Sequence, residues 1–139
     1  MALSTIDIEN YLRRYSEFKG VFANDQLPFA LWEKPFGIVI NLDPSWKYGS
    51  HWVAVFAPTY GPGLYFDTFG TEPQNSILSF IERNCKNGYK FNHSIYQGDL
   101  SIKCGHYCIL FLESCFTKIN FPLIKCNTKL NEFIINNIY

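Results

Sequence analysis

The chain has 139 residues, 47% of them hydrophobic and 18% aromatic, which is material for one packed core and too little length for two. Disordered and low-complexity classes are excluded by that composition. Twelve basic and twelve acidic side chains give a formal charge of zero, without the broad positive field of non-specific nucleic-acid binders, so no strong nucleic-acid binding is expected.

One domain spanning residues 1–139 is the expectation, acting as a monomer. The opening MALSTIDIENYLRRY lacks a basic stretch followed by an apolar run, and no segment reaches the roughly 18 apolar residues of a membrane span. No membrane association is expected. Five cysteines are an odd number, and Cys85, Cys104, Cys108, Cys115 and Cys126 lack the spacing of a small secreted scaffold. Free thiols in an intracellular reducing compartment, cytoplasm or nucleus, are the expected state.

In chain order, Ser4 and Asp7 have the pattern of a capping box. Ile8, Tyr11, Leu12, Tyr15 and Phe18 then recur at three- and four-residue steps, which predicts an amphipathic helix ending near Gly20. Residues 21–35 read as loop, and FGIVINL is an almost wholly apolar strand over 36–42. HWVAVFA and LYFDTF are strands over 51–57 and 63–69 joined by PTYGPG, a hairpin with a long, stiff turn. Pro73 opens a second helix with Ile77, Leu78, Phe80 and Ile81 as its apolar stripe and Asn87-Gly88 as its stop. YKFNHSIY reads as a strand over 90–96, and a polar loop from Gln97 to Lys103 follows. The run from Gly105 to Phe116 is too long and too apolar for a strand, so a buried helix starts at about 104. TKLNEFIINNIY closes the chain as a helix. The predicted class is α+β, a mixed layer fold around a central sheet.

The hairpin carries the first functional hint. If Phe56 faces Leu64, paired positions sum to 120, and His51 and Asp67 point to one face as diagonal neighbours, about 7 to 8 Å apart. A slip of one residue would separate them. A carboxylate there can hold one imidazole nitrogen and leave the other as a base. The plainer reading makes His51 the start of a strand and Asp67 a solvated strand end.

The stretch 97–108 carries the second. Cys104 sits where loop becomes helix, at the positive end of the helix dipole, which favours the reactive thiolate form. Gly105 admits a substrate backbone, the main-chain N–H at the nucleophile is an oxyanion donor, and the Gln97 amide can donate without competing for the histidine's proton. Cysteine is among the most buried residue types, so the plainer reading makes Cys104 a structural residue ahead of a buried helix, and Cys108 and Cys115, inside the apolar run, read as core. Zinc binding by Cys104, His106 and Cys108 is disfavoured because the three do not share a helix face. His106 as partner of Cys104 is disfavoured because residues two apart on a helix point in different directions.

Taken together, His51-Trp52, D-x-F-G at 67–70 and Q-x6-C-G ending at Gly105 resemble the clan of cysteine proteases that contains the adenovirus maturation protease, adenain, and the deconjugating proteases of SUMO-like modifiers. FKGVFANDQLP at 18–28, IVINL at 38–42 and GSHWVA at 49–54 are similar to the adenain-like branch found in viruses and virus-like transposons. The resemblance covers about residues 8–116. It implies a papain-like site with Cys104 as nucleophile, His51 as base, Asp67 orienting the imidazole and Gln97 as oxyanion donor. It further implies a cysteine endopeptidase that prefers small residues, commonly glycine, and processes viral capsid or core precursors, inside the host cell and within the virion. A protease for a ubiquitin-like modifier and a non-catalytic module derived from a protease are the alternatives. No cofactor or metal is expected. Adenain's short viral activating peptide is joined through a disulfide to a cysteine ahead of the glutamine, and Cys85 lies in a comparable place, although Cys85 also reads as a half-buried helix-end residue.

Overall fold

The computed structural model describes residues 3–29, 32–43, 51–97, 103–123 and 127–139. The opening helix α1 (Thr5–Leu12) carries the expected capping box, with the Ser4 amide donating to Asp7 Oδ2 at 2.9 Å and the Asp7 amide donating to Ser4 Oγ at 3.2 Å. It ends about two turns before Gly20, and FKGVFA forms a strand, β1 (Phe18–Ala23). This corrects the sequence reading of residues 13–23. Phe18 kept helical spacing with Tyr15, yet the register shifts between Phe18 and Val21, and Gly20 at φ +130° occupies that irregularity. A glycine at positive φ inside a strand marks a bulge rather than a helix stop.

The remaining strands are β2 (Phe36–Asn41), β3 (Trp52–Ala57), β4 (Gly63–Phe66) and β5 (Tyr89–Phe91), in a sheet of order β1-β2-β3-β4-β5. β2–β3 and β3–β4 are antiparallel, and the outer pairs β1–β2 and β4–β5 are parallel. Every residue of β2 and β3 is buried, which is why these strands read as continuous apolar runs rather than alternating ones. The expected strand over 63–69 stops at Phe66, and that over 90–96 stops at Phe91. In each case a side chain, Asp67 or Asn92, takes over the backbone's hydrogen bonds.

Helix α2 (Asn75–Asn84) covers one face of the sheet, where Ile77, Phe80 and Ile81 pack on Phe36, Ile38, Ile40, Val53 and Val55. The other face is covered by α1, α3 (Cys104–Thr117) and α4 (Thr128–Ile138), with Tyr107, Ile109 and Leu112 against Val39, Ala54 and Phe56. Two filled cores on opposite sides of one sheet make a three-layer α+β arrangement. Its consequence for function is positional: α3 presents its N-terminus at the end of the sheet where β3 begins and β4 ends. Among the described residues, no helix is long and apolar enough to cross a membrane.

Cys85, Cys104, Cys108 and Cys115 form no disulfide among the described residues, and Cys126 lies outside them. Cys85 is the C-cap of α2 and only 5% exposed. A Cβ on Gly63 would lie 2.5 Å from its sulfur, so the thiol fills the space that the glycine leaves at the start of β4. A disulfide to an activating peptide would require α2 to part from that strand.

Candidate active site

β3 and β4 pair as Ala54 with Phe66, Val55 with Tyr65 and Phe56 with Leu64. This is the register in which His51, just before β3, and Asp67, just after β4, share a face. His51 Nε2 lies 2.8 Å from Asp67 Oδ1, with Asp67 almost fully buried and the imidazole about one-fifth exposed. The imidazole also lies against Phe69, with ring centroids 5.1 Å apart.

Asp67 is held from three sides. Its Oδ1 accepts from the Phe69 amide at 3.0 Å, closing a tight Asx-type turn that ends β4. Its own amide donates to Asn92 Oδ1 at 3.0 Å, while Asn92 Nδ2 donates to its carbonyl at 2.5 Å. Asn92 thereby replaces the ladder hydrogen bonds that a longer β5 would have supplied. Gly70 closes the turn at φ +72°, and a Cβ there would meet the backbone of His93 and Ser94 at 2.8 Å. Both the backbone angle and the close approach call for glycine.

Cys104 is the first residue of α3 and is 4% exposed. Interaction with the Cys104 side chain is among the causes that raise the His51 imidazole, which puts the thiol beside the ring. With Nε2 taken by Asp67, Nδ1 is the ring nitrogen left for the thiol. Gly105 follows because a Cβ there would press at 3.3 Å on Trp52 and Leu3. The indole of Trp52 thus packs directly on the first turn of α3 and ties the helix that carries the thiol to the strand that follows the imidazole.

Burial works against a charged His51, but the hydrogen bonds to Asp67 and Cys104, with the charges behind them, outweigh it and lift the imidazole to about 9. An imidazolium between a carboxylate and a sulfur is the arrangement this favours. The other candidates behave differently. His106 is 5% exposed, is pushed down to about 4, chiefly by burial and secondarily by Lys103, and packs on Tyr139 with ring centroids 5.3 Å apart. That contact faces α3's neighbours rather than His51. Burial pushes the Cys108 thiol well up and the Cys115 thiol to about 12, as for inert core cysteines. Among the described residues no group of three or more His, Cys, Asp or Glu could hold a metal ion.

Gln97 is 2% exposed, and its Oε1 accepts from the hydroxyl of Thr68 at 2.5 Å. The Tyr96 amide donates to the Thr68 carbonyl at 2.8 Å. Gln97 is therefore fastened to the turn that carries Asp67. Residues 98–102 of the expected loop lie outside the described residues. Sequence reasoning missed Thr68 and Asn92, because nothing in their neighbourhood signals hydrogen bonds that span 29 and 25 positions.

No protein-family model matches the sequence. The chain is similar to a SUMO-1 cysteine protease of African swine fever virus, 25% identical over 97 residues, which is 62% of this chain and 36% of that protein. It is also similar to a protein of Acanthamoeba polyphaga mimivirus named as a thiol protease, 38% identical over 100 residues, 65% of this chain and 33% of that protein. The chain thus spans about a third of the length of these curated relatives. The crystal structure of the African swine fever virus protease superimposes with a TM-score of 0.63 at 19% identity, covering 86% of this chain and 59% of that one. The central domain of an uncharacterised Legionella pneumophila protein gives 0.55 at 13% identity, covering 87% and 78%. The five-stranded mixed sheet, its three layers and the superposition together give the chain the papain-like α+β fold of the African swine fever virus protease.

Proposed function

We propose that this chain is a cysteine peptidase with Cys104 as nucleophile, His51 as general base and acid, Asp67 as the group that orients and charges the imidazole, and Gln97 as an oxyanion donor. The observation that carries the reading is the chain of contacts from Asp67 through His51 to a thiol at a helix N-terminus. The sulfur attacks a peptide carbonyl, and the negative charge formed on its oxygen is received by main-chain N–H at the start of α3 and by the Gln97 amide. His51 gives its proton to the leaving amine. It then draws a proton from the water that hydrolyses the thioester, and the sulfur leaves as thiolate, which restores the thiolate and imidazolium. No metal or organic cofactor enters this cycle.

For the substrate, the adenain-like motifs favour endopeptidase cleavage at small, glycine-containing sites in viral capsid or core precursors, within the infected cell and the virion. A deconjugating action on a ubiquitin-like modifier is the second reading, favoured by the printed name of the African swine fever virus relative. Both readings use the same catalytic groups. The two separate when the protein is incubated with Gly-Gly peptides in extended precursor sequences and, in parallel, with SUMO and ubiquitin fusions. Cleavage of the peptides supports the endopeptidase, turnover of the folded fusions alone supports the deconjugase, and turnover of neither removes the peptidase reading.

A further inference from the structure

We infer that Thr68 is a positioning residue that sets which end of the Gln97 side-chain amide is available as a donor; this rests on the peptidase reading for its catalytic consequence. A primary amide has two ends of opposite character, an accepting oxygen and a donating nitrogen. Turned one way, Gln97 stabilises a developing oxyanion, and turned the other way it repels it. In a site where Gln97 is 2% exposed and Thr68 fully buried, water is a poor arbiter, so a protein group has to decide.

The contact itself indicates how. The Thr68 hydroxyl donates to Gln97 Oε1 at 2.5 Å. With the oxygen end of the amide held by this hydroxyl, its nitrogen end is turned the opposite way. Thr68 is rigid in its turn. Its carbonyl accepts from the Tyr96 amide at 2.8 Å, and its neighbour Asp67 is clamped by Asn92 and by the Phe69 amide. One turn thereby carries the imidazole's partner on Asp67 and the amide's partner on Thr68, which couples the orientation of the base to that of the oxyanion donor. The β-branched side chain has a stiff χ1, so the hydroxyl is aimed by the backbone.

Three variants test this. Thr68→Val keeps the shape and removes the donor, and Thr68→Ser keeps the donor. Thr68→Ala takes the place of valine if the latter does not fold. Thr68→Val should lower kcat roughly 10- to 100-fold, part of the effect of losing one oxyanion donor, with KM changed by less than about twofold. Thr68→Ser should recover most of the rate. In a Gln97→Ala background Thr68→Val should cost nothing further, because the group it aims is gone. An equal loss in both backgrounds would overturn the inference. The side-chain amide resonances of Gln97, followed by NMR, give a readout without turnover. They should shift and gain mobility in Thr68→Val and stay as in the wild type in Thr68→Ser. Unchanged resonances in Thr68→Val would overturn the role of Thr68, whereas shifted resonances in a protein that cleaves no peptide would uphold it while the peptidase reading fails.

Discussion

Cys104→Ala is expected to lose peptidase activity by about four orders of magnitude or more in kcat/KM while leaving the fold intact. The size follows from what the sulfur does. Without it there is no thioester, and the residual rate is what oxyanion donors and substrate binding give to direct attack by water. The retained fold follows from where the sulfur sits. Cys104 is buried at the first position of α3, with Gly105 packed on Trp52 beside it and the apolar body of the helix beyond, so removing one sulfur atom costs on the order of 1 kcal/mol. Cleavage of a Gly-Gly substrate and urea unfolding of the same preparation check both halves. Activity that survives the substitution would move the nucleophile elsewhere.

Asp67→Asn is expected to lower kcat/KM by roughly 10²- to 10⁴-fold and to move its alkaline limb to lower pH. Asparagine can still present an oxygen to the His51 ring and to the Phe69 amide, so the turn is kept, and what disappears is the negative charge. Burial then acts on the imidazolium with less to oppose it. In the wild type His51 is raised from 6.5 to about 9, so the folded protein holds this proton more tightly than the unfolded chain. The stability linked to it is fully present below pH 6.5 and is lost as pH rises through about 9. Activity that needs the imidazolium to protonate the leaving amine should fall over the same upper range. With the carboxylate gone the fall starts earlier, and both the pH–rate profile and the pH dependence of unfolding register it. A profile whose upper limb does not move would mean that Asp67 is a structural turn residue only.

The parts of this architecture that were legible in the sequence are those governed by local pattern. The capping box at Ser4, the apolar strand at 36–41, the α3 helix and the closing helix all follow from residues within a few positions of one another. The hairpin register goes further. Pairing Phe56 with Leu64 puts His51 and Asp67 on one face, and the structure has that pairing and a 2.8 Å contact between the two side chains. The misreadings have a common physical origin. Phe18 satisfied a helical spacing that tertiary pairing with β2 overrode, and Gly20 was a bulge residue mistaken for a helix stop. The strand ends at 67–69 and 92–96 were overextended because Asn92 and Asp67 use side chains where a ladder would use backbone. Thr68 could not be singled out at all, since its partner is set by the folded chain.

The adjacency of thiol and imidazole is the claim on which the rest depends, and the rate of Cys104 alkylation by iodoacetamide at neutral pH tests it most directly. The expected result is labelling of Cys104 well ahead of Cys85, Cys108 and Cys115, with the advantage abolished in His51→Ala. Labelling of Cys104 at the rate of an ordinary thiol, unchanged by His51→Ala, would contradict it.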